Sequence, residues 1–251
     1  SLFMLIGLIY VYTQSASFAL TDLYNANLNP SEQTVIFWFI FFAFAVKLPV
    51  FPFHSWQPDT YTYSPTQGSM LLSGIMLKMA VYGLLRYLLP ITPEPILGIS
   101  GQIVLVLAII GIVHGALIAI IQNDSKRIIA YSSLSHVGLM VAGIMASAIL
   151  TVKGTLVIEG AEGAMVQTFA HGINVVGLFY CADILYKRFK SRDIRQMGGL
   201  AKVAPKFAVL FLLILLGSVG LPLTNGFIGE FILLKSVFDY SGLAAIFAGL
   251  T

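Results

Sequence analysis

Charge is scarce in this sequence. Asp, Glu, Lys and Arg make up 10% of its 251 residues, against about 25% in a soluble domain. So few charges cannot cover a globular surface, which excludes an ordinary soluble fold. The net charge is only +3, and the basic residues gather in short connections, so no nucleic-acid partner is expected. Cysteine occurs once, at Cys181, which rules out an internal disulfide and a cluster held by four cysteines of this chain. Strand-like alternation is missing, which argues against a β-barrel. There is no GxGxxG, no Walker A run, no CxxC and no HExxH. No dinucleotide, nucleoside triphosphate or metal site is therefore expected in the chain itself.

What is present is apolar. Hydrophobic residues make up 58% of the chain, and the mean hydropathy is +0.90. Apolar runs of about 20 residues recur, long enough for helices that cross a bilayer. Spans are expected at 2–20, 33–53, 65–90, 101–122, 126–149 and 162–186, then an interrupted one over 206–240 and another from Leu243. The reading is an all-α integral membrane protein, a polytopic helical bundle. The chain opens at Ser1 inside one apolar run and stops at Thr251 in another, with no initiator Met, basic leader or cleavage pattern. Residues 1–251 are thus expected to be a single transmembrane domain from inside a longer protein.

The basic residues give an orientation. The connection 187–206 holds Lys187, Arg188, Lys190, Arg192, Arg195, Lys202 and Lys206, and Lys126 and Arg127 stand two spans earlier. The connections at 21–33 and 91–100, on the opposite side, have no Lys or Arg. The positive-inside rule places 187–206 and 123–127 in the cytoplasm. Arg86 and Lys153 are single charges against the pattern.

Two spans are expected to break. In "FAFAVKLPVFPFHSW" two prolines follow Lys47, and in "VGLPL" Pro222 follows a second apolar half-helix. Proline lacks the N–H that would bond the carbonyl four residues back. Pro49 is therefore expected to free the carbonyl of Ala45, Pro52 that of Leu48 and Pro222 that of Ser218. "VKLPV" and "VGLPL" are alike, each precedes a second, shorter half-helix, and they lie on spans that cross in opposite directions. That is the signature of an inverted-topology repeat.

Ionisable residues stand inside the spans. Lys47 lies about 12 residues into its helix, about 18 Å along it. Lys78 is central in "GIMLKMAVYG", His136 and His171 sit well inside the fifth and sixth spans, and Glu230 follows the second break. These helices enter from alternating sides, yet each carries its polar group near half depth. A charge at a helix centre costs about 2.5–3.5 kcal/mol even on a lenient insertion scale. A single such charge can be structural, paired to orient a bundle, and a single break can be a packing kink. Five groups at one level point instead to a hydrated polar row. Burial lowers a lysine and raises a carboxyl, and histidine already titrates near neutral pH, so these side-chain types suit a proton relay.

Other polar residues leave alternatives open. His54 and Asp59 bracket "HSWQPD" as either a proton uptake point or a loop clamp. Lys126 joins them as an uptake candidate or serves as a positive-inside anchor. His114, alone in "GIVHGAL", reads as a hydrogen-bonded core histidine, and Lys235 as a side chain that snorkels outward. Glu159 and Glu162 are placed in an outer loop. Gly172 and Gly177 suggest close helix packing.

The stretches "FAVKLPVFPFHSWQPD", "SGIMLKMAVYGLLR", "DSKRIIAYSSLSHVG", "AHGINVVGLFY", "RDIRQMGGL" and "GLPLTNGFIGEF" occur in this order over nearly the whole chain. Together they resemble the antiporter-like membrane subunits of proton-pumping NADH:quinone oxidoreductase, respiratory complex I. Glu230 on the second broken helix and "SLSH" at 133–136 are closest to the chain M, or subunit 4, branch. The resemblance implies an antiporter-like fold with two broken helices in inverted repeats, of which this chain covers helix six to the start of helix thirteen. It implies a relay through Lys47, Lys78, His136, His171 and Glu230, with a glutamate before Ser1 as partner of Lys47. It implies a multi-pass protein of the bacterial cytoplasmic membrane, beside other membrane subunits of complex I, especially neighbouring antiporter-like ones. NADH, FMN, Fe–S clusters and quinone are then expected in other subunits, and no redox chemistry in this chain. The stretch 151–163 looks longer than the usual connection, without an assigned role.

Two rival readings are weighed. One is a subunit of a multi-subunit cation/proton antiporter, which shares these motifs and would work without NADH. The other is a bis-histidine haem protein on His136 and His171. It is disfavoured because each span offers one histidine where paired histidines are usual.

Overall fold

A computed structural model describes residues 2–152 and 158–251. Lys153 and the middle of the 151–163 stretch lie outside the described residues. The described chain is helical and carries no strand, apart from an isolated bridge between Asp124 and Asp193.

Ten helices of seven or more residues organise the described chain: α1 Leu2–Ser15, α2 Pro30–Lys47, α3 Trp56–Tyr63, α4 Thr66–Ile91, α5 Ile99–Ile121, α6 Ser125–Val152, α7 Glu159–Phe189, α8 Pro205–Ser218, α9 Asn225–Tyr240 and α10 Gly242–Ala248. Among the described residues α4, α5, α6 and α7 are long and apolar enough to cross a membrane, and α1 and α8 are shorter apolar helices. The start of α2 shows how local sequence sets a boundary. Asn29 accepts from the Glu32 N–H at 3.0 Å, the Glu32 carboxylate accepts from the Asn29 N–H at 2.9 Å, and Pro30 fills the first turn. Such a capping box contributes about 1 kcal/mol.

α6 is the hub. It packs against α5, α7, α9 and α3, and 83% of its most apolar stretch is buried, against 33% in α5. Lipid offers no hydrophobic drive between helices, so close approach of small residues must hold such a centre. Gly160 of α7 approaches the Gly143 backbone of α6 so closely that a Cβ would lie 2.1 Å from its carbonyl oxygen. Gly172 likewise brings α7 against the Gly74 carbonyl of α4, and Gly177 rests on Ile214 of α8.

Both breaks occur, after Lys47 and after Ser218. They close in one way: Val50 N–H bonds the Ala45 carbonyl at 3.0 Å, and Leu221 N–H bonds the Leu216 carbonyl at 3.2 Å. This five-residue reach is the long bond of a Schellman end. Three expectations need correction. The Ala45 carbonyl opposite Pro49 is not free, because the chain reverses and Val50 takes it. The half-helix after the second break is not shorter: α9 has 16 residues and α8 has 14. The breaks also match Leu48 to Val219, two residues off the register of the shared Leu-Pro pair, because backbone reversal and not proline position defines them.

The basic connection 187–206 meets the links before α6 and after α3 on one face. Ser125 N–H bonds the Arg192 carbonyl at 3.0 Å, Ile194 N–H bonds the Asn123 carbonyl at 2.9 Å, and the Arg192 guanidinium bonds the Thr62 carbonyl at 2.8 Å. Within this loop the Arg195 guanidinium grips Asp193 and holds its carboxyl below the usual range. The basic loop, the start of α6 and the end of α3 are therefore stitched together.

Candidate functional site

α4 is wound as a π-helix at Leu72–Met76 and again at Leu84–Leu88, on either side of Lys78. Such turns upset the regular bonding ladder and occur often at functional sites. Lys78 uses the first of them: its Nζ donates to the Ser73 carbonyl and to His171 Nδ1, the latter at 2.9 Å. With Nδ1 accepting, the proton of a neutral His171 ring sits on Nε2, which is buried and has no hydrogen-bond partner among the described residues. The His171 ring meets the His136 ring edge to face, with centroids 5.5 Å apart. His136 Nδ1 lies 3.3 Å from Glu230 Oε1, within ion-pair reach though outside good hydrogen-bond geometry.

Four of the five relay candidates thus form one line, in the spatial order Lys78, His171, His136, Glu230. They come from α4, α7, α6 and α9. Both histidines are buried. Lys47 is exposed in this chain, and it shares with Lys78 a cavity of about 730 Å³ walled by Met4, Leu8, Phe44 and Thr168. A proton passed from Lys78 to His171 Nδ1 would release the one on Nε2 toward His136 and then Glu230. The step needs only ring nitrogens with a free lone pair and room for a bridging water.

Two polar contacts at this line were not anticipated from sequence. Gln167 Nε2 donates to Glu230 Oε1 at 2.9 Å, and Asn174 and Asn225 exchange amide bonds at 3.3 and 3.1 Å. A signal existed: Gln167, His171 and Asn174 recur at helical spacing on one face of α7. At the first break the Trp56 indole N–H takes the Val46 carbonyl at 2.8 Å, a contact with no sequence signature.

The uptake candidates separate. Asp59 pairs with Arg127, and buried Lys126 donates to the Ser64 carbonyl at 2.8 Å. His54 stacks instead against Phe51. Its ring meets that of His114 at 4.8 Å, so His114 is not alone, and its Nδ1 is buried without a well-formed hydrogen bond. Beside it on α3, the amide atoms of Gln57 and the hydroxyl of Tyr61 are also buried without one. Lys235 pairs with Glu159 and with Asp239. Glu159 and Glu162 belong to the first turn of α7 and not to a loop, since carboxylates suit a helix N-terminus. Among the described residues no group of three or more potential metal ligands gathers.

The family described as "NADH:quinone oxidoreductase/Mrp antiporter, TM" matches residues 1–251. NADH-quinone oxidoreductase subunit M of Rickettsia conorii is 39% identical over 100% of this chain and 49% of its own length. NADH-ubiquinone oxidoreductase chain 4 of Acanthamoeba castellanii is 35% identical over 99% of this chain and 48% of its own length. Respiratory complex I from Thermus thermophilus contains a chain similar to this one, with TM-score 0.90 and 32% identity over 99% of this chain and 52% of that one. A chain of the Mrp complex from Dietzia sp. DQ12-45-1b shares the fold, with TM-score 0.82 and 23% identity over 98% of this chain and 44% of that one. The chain spans about half the length of the curated relatives it matches. It belongs to the antiporter-like membrane-subunit family of NADH:quinone oxidoreductase and the Mrp antiporters.

Proposed function

We propose that this chain is the proton-translocating part of a subunit of NADH:quinone oxidoreductase of the chain M type. The supporting observation is the succession Lys78, His171, His136, Glu230, drawn from four helices into one line with both histidines buried. In this reading a proton enters from the cytoplasm, rests on Lys47, crosses to Lys78, passes the two histidines and leaves from Glu230 to the far side. The two reversed breaks, at Pro49–Pro52 and at Pro222, interrupt the helices beside Lys47 and on the approach to Glu230, where non-helical backbone can line a watery cavity. Lys47 has its carboxylate partner elsewhere in the subunit.

Uptake is assigned to His54 with His114, since buried polar atoms without well-formed hydrogen bonds mark the places where internal water sits. Asp59 and Lys126, already bonded, act as the clamp of the cytoplasmic loops. The subunit lies in the bacterial cytoplasmic membrane with loop 187–206 in the cytoplasm, against lipid and neighbouring antiporter-like subunits. NADH, FMN, Fe–S clusters and quinone belong to other subunits, and electron transfer there perturbs the Lys47 environment. Replacing Lys47 or Glu230 by Ala in the intact complex is expected to abolish proton pumping while assembly persists. Normal pumping by either variant sinks the relay. A Na⁺- or K⁺-dependent pH gradient without NADH would transfer the same line to a cation/proton antiporter.

A further inference from the structure

Gln167 sits at the end of the relay and has no task in it. It is 2% exposed, and its Nε2 donates to the Glu230 oxygen that also faces His136 Nδ1. Its other end, Oε1, is buried and has no hydrogen-bond partner among the described residues. Two glycines fit around the pair. A Cβ on Gly229 would lie 2.6 Å from Gln167 Oε1, and one on Gly220 would lie 2.1 Å from Glu230 Oε2. A buried amide kept only for packing is expected to have both ends paired, because an orphan acceptor is costly.

We propose, resting on the relay reading above, that Gln167 is a positioning residue that holds Glu230 in both of its protonation states. While Glu230 is ionised, the amide N–H occupies one lone pair of Oε1 and leaves the other toward His136. The carboxylate is then fixed where the ring proton can reach it. In the transfer the N–H bond of His136 breaks and an O–H bond on Glu230 forms, so His136 loses the proton that Glu230 gains. Glu230 now needs an acceptor. A half-turn of the Gln167 amide brings its unpaired Oε1 onto the new O–H, because an amide offers a donor at one end and an acceptor at the other. The glycines leave the amide and the carboxyl the space they occupy, which a Cβ at either position would take. Lys235, farther along α9, is engaged by Glu159 and Asp239 and does not compete for the carboxyl.

The test uses the intact complex with the full-length subunit, reconstituted in vesicles. Gln167→Met keeps the length of the side chain and removes both polar ends. NADH oxidation under uncoupler is expected to stay within about twofold of wild type, while pumping per NADH falls about tenfold, the scale set by one hydrogen bond to a charged group. In infrared difference spectra, the protonated-carboxyl band that vanishes in Glu230→Gln should move to higher frequency in Gln167→Met, having lost its acceptor. Gln167→Glu, which when neutral offers both a donor and an acceptor, should bring the band back. Wild-type pumping by Gln167→Met, or an unmoved band, overturns the role of Gln167. Should Gln167→Met fail to assemble, the band in Gln167→Glu decides: a hydrogen-bonded position supports the role, a free one overturns it. Glu230→Gln that pumps normally defeats the relay reading itself, which is a separate result.

Discussion

Gly220 offers a sharp test of the site, because a second glycine provides its control. Gly220 has φ +66° at the second break, and Gly199 has φ +70° in the basic loop 187–206. In both places the missing Cβ makes the left-handed conformation affordable, and Ala would add about 1–2 kcal/mol of backbone strain. The surroundings differ. A Cβ on Gly199 meets nothing within 4 Å, whereas one on Gly220 would lie 2.1 Å from Glu230 Oε2. Ordinary contact begins near 3.4 Å, so the carboxylate must retreat by more than an ångström. The end of a flexible side chain can do that at small cost in stability. It cannot do so and keep both its 2.9 Å bond from Gln167 and its 3.3 Å approach to His136. Misplacing a reacting group by about 1 Å can cost about 100-fold in rate. Gly220→Ala and Gly199→Ala, each in the intact complex, should therefore lose similar stability in thermal melts. Proton pumping per NADH, read by dye quenching in vesicles, should fall between tenfold and about 100-fold only in Gly220→Ala. Equal pumping by the two variants would refute the argument that the carboxylate must stay where it is.

Three further outcomes follow from the same geometry. Gly160→Ala drives a Cβ against the Gly143 backbone, which cannot yield as a side chain can; the wedge between α6 and α7 should cost about 1–3 kcal/mol and lower the melting temperature in detergent. Trp56→Phe keeps the ring but removes the indole bond to the Val46 carbonyl, a loss of about 1 kcal/mol that a melt would register. His54→Ala should slow pumping by about tenfold or more if the ring carries protons inward, whereas Asp59→Asn, which removes only the exposed pair with Arg127, should change stability by less than about 1 kcal/mol and leave pumping alone; the reverse pattern in pumping assays would move the uptake point to Asp59.

Much of this molecule was legible in the chain of residues. Apolar runs fixed the helices, since a spanning segment must satisfy its own backbone and has little choice but to be a helix. Lys78, His136, His171 and Glu230 stood out because an ionisable group in such a run is too costly to be incidental. Gln167, His171 and Asn174 share one polar face of α7 at helical spacing, a pattern legible in the sequence.

The order of the site was not legible. Along the sequence His136 precedes His171, but in space His171 stands next to Lys78, because α7 packs directly on α4 through Gly172 while α6 lies behind. The loss of proline's N–H was predictable, yet the fate of the Ala45 carbonyl depended on where the reversed chain put Val50. The pairing of Asp59 with Arg127, and the contact of His54 with His114, likewise required three connections to come together. Local composition settles what each segment must be, because solvent and backbone bonding act residue by residue. Which side chains meet is set by packing between distant helices, and only the tertiary structure decided it.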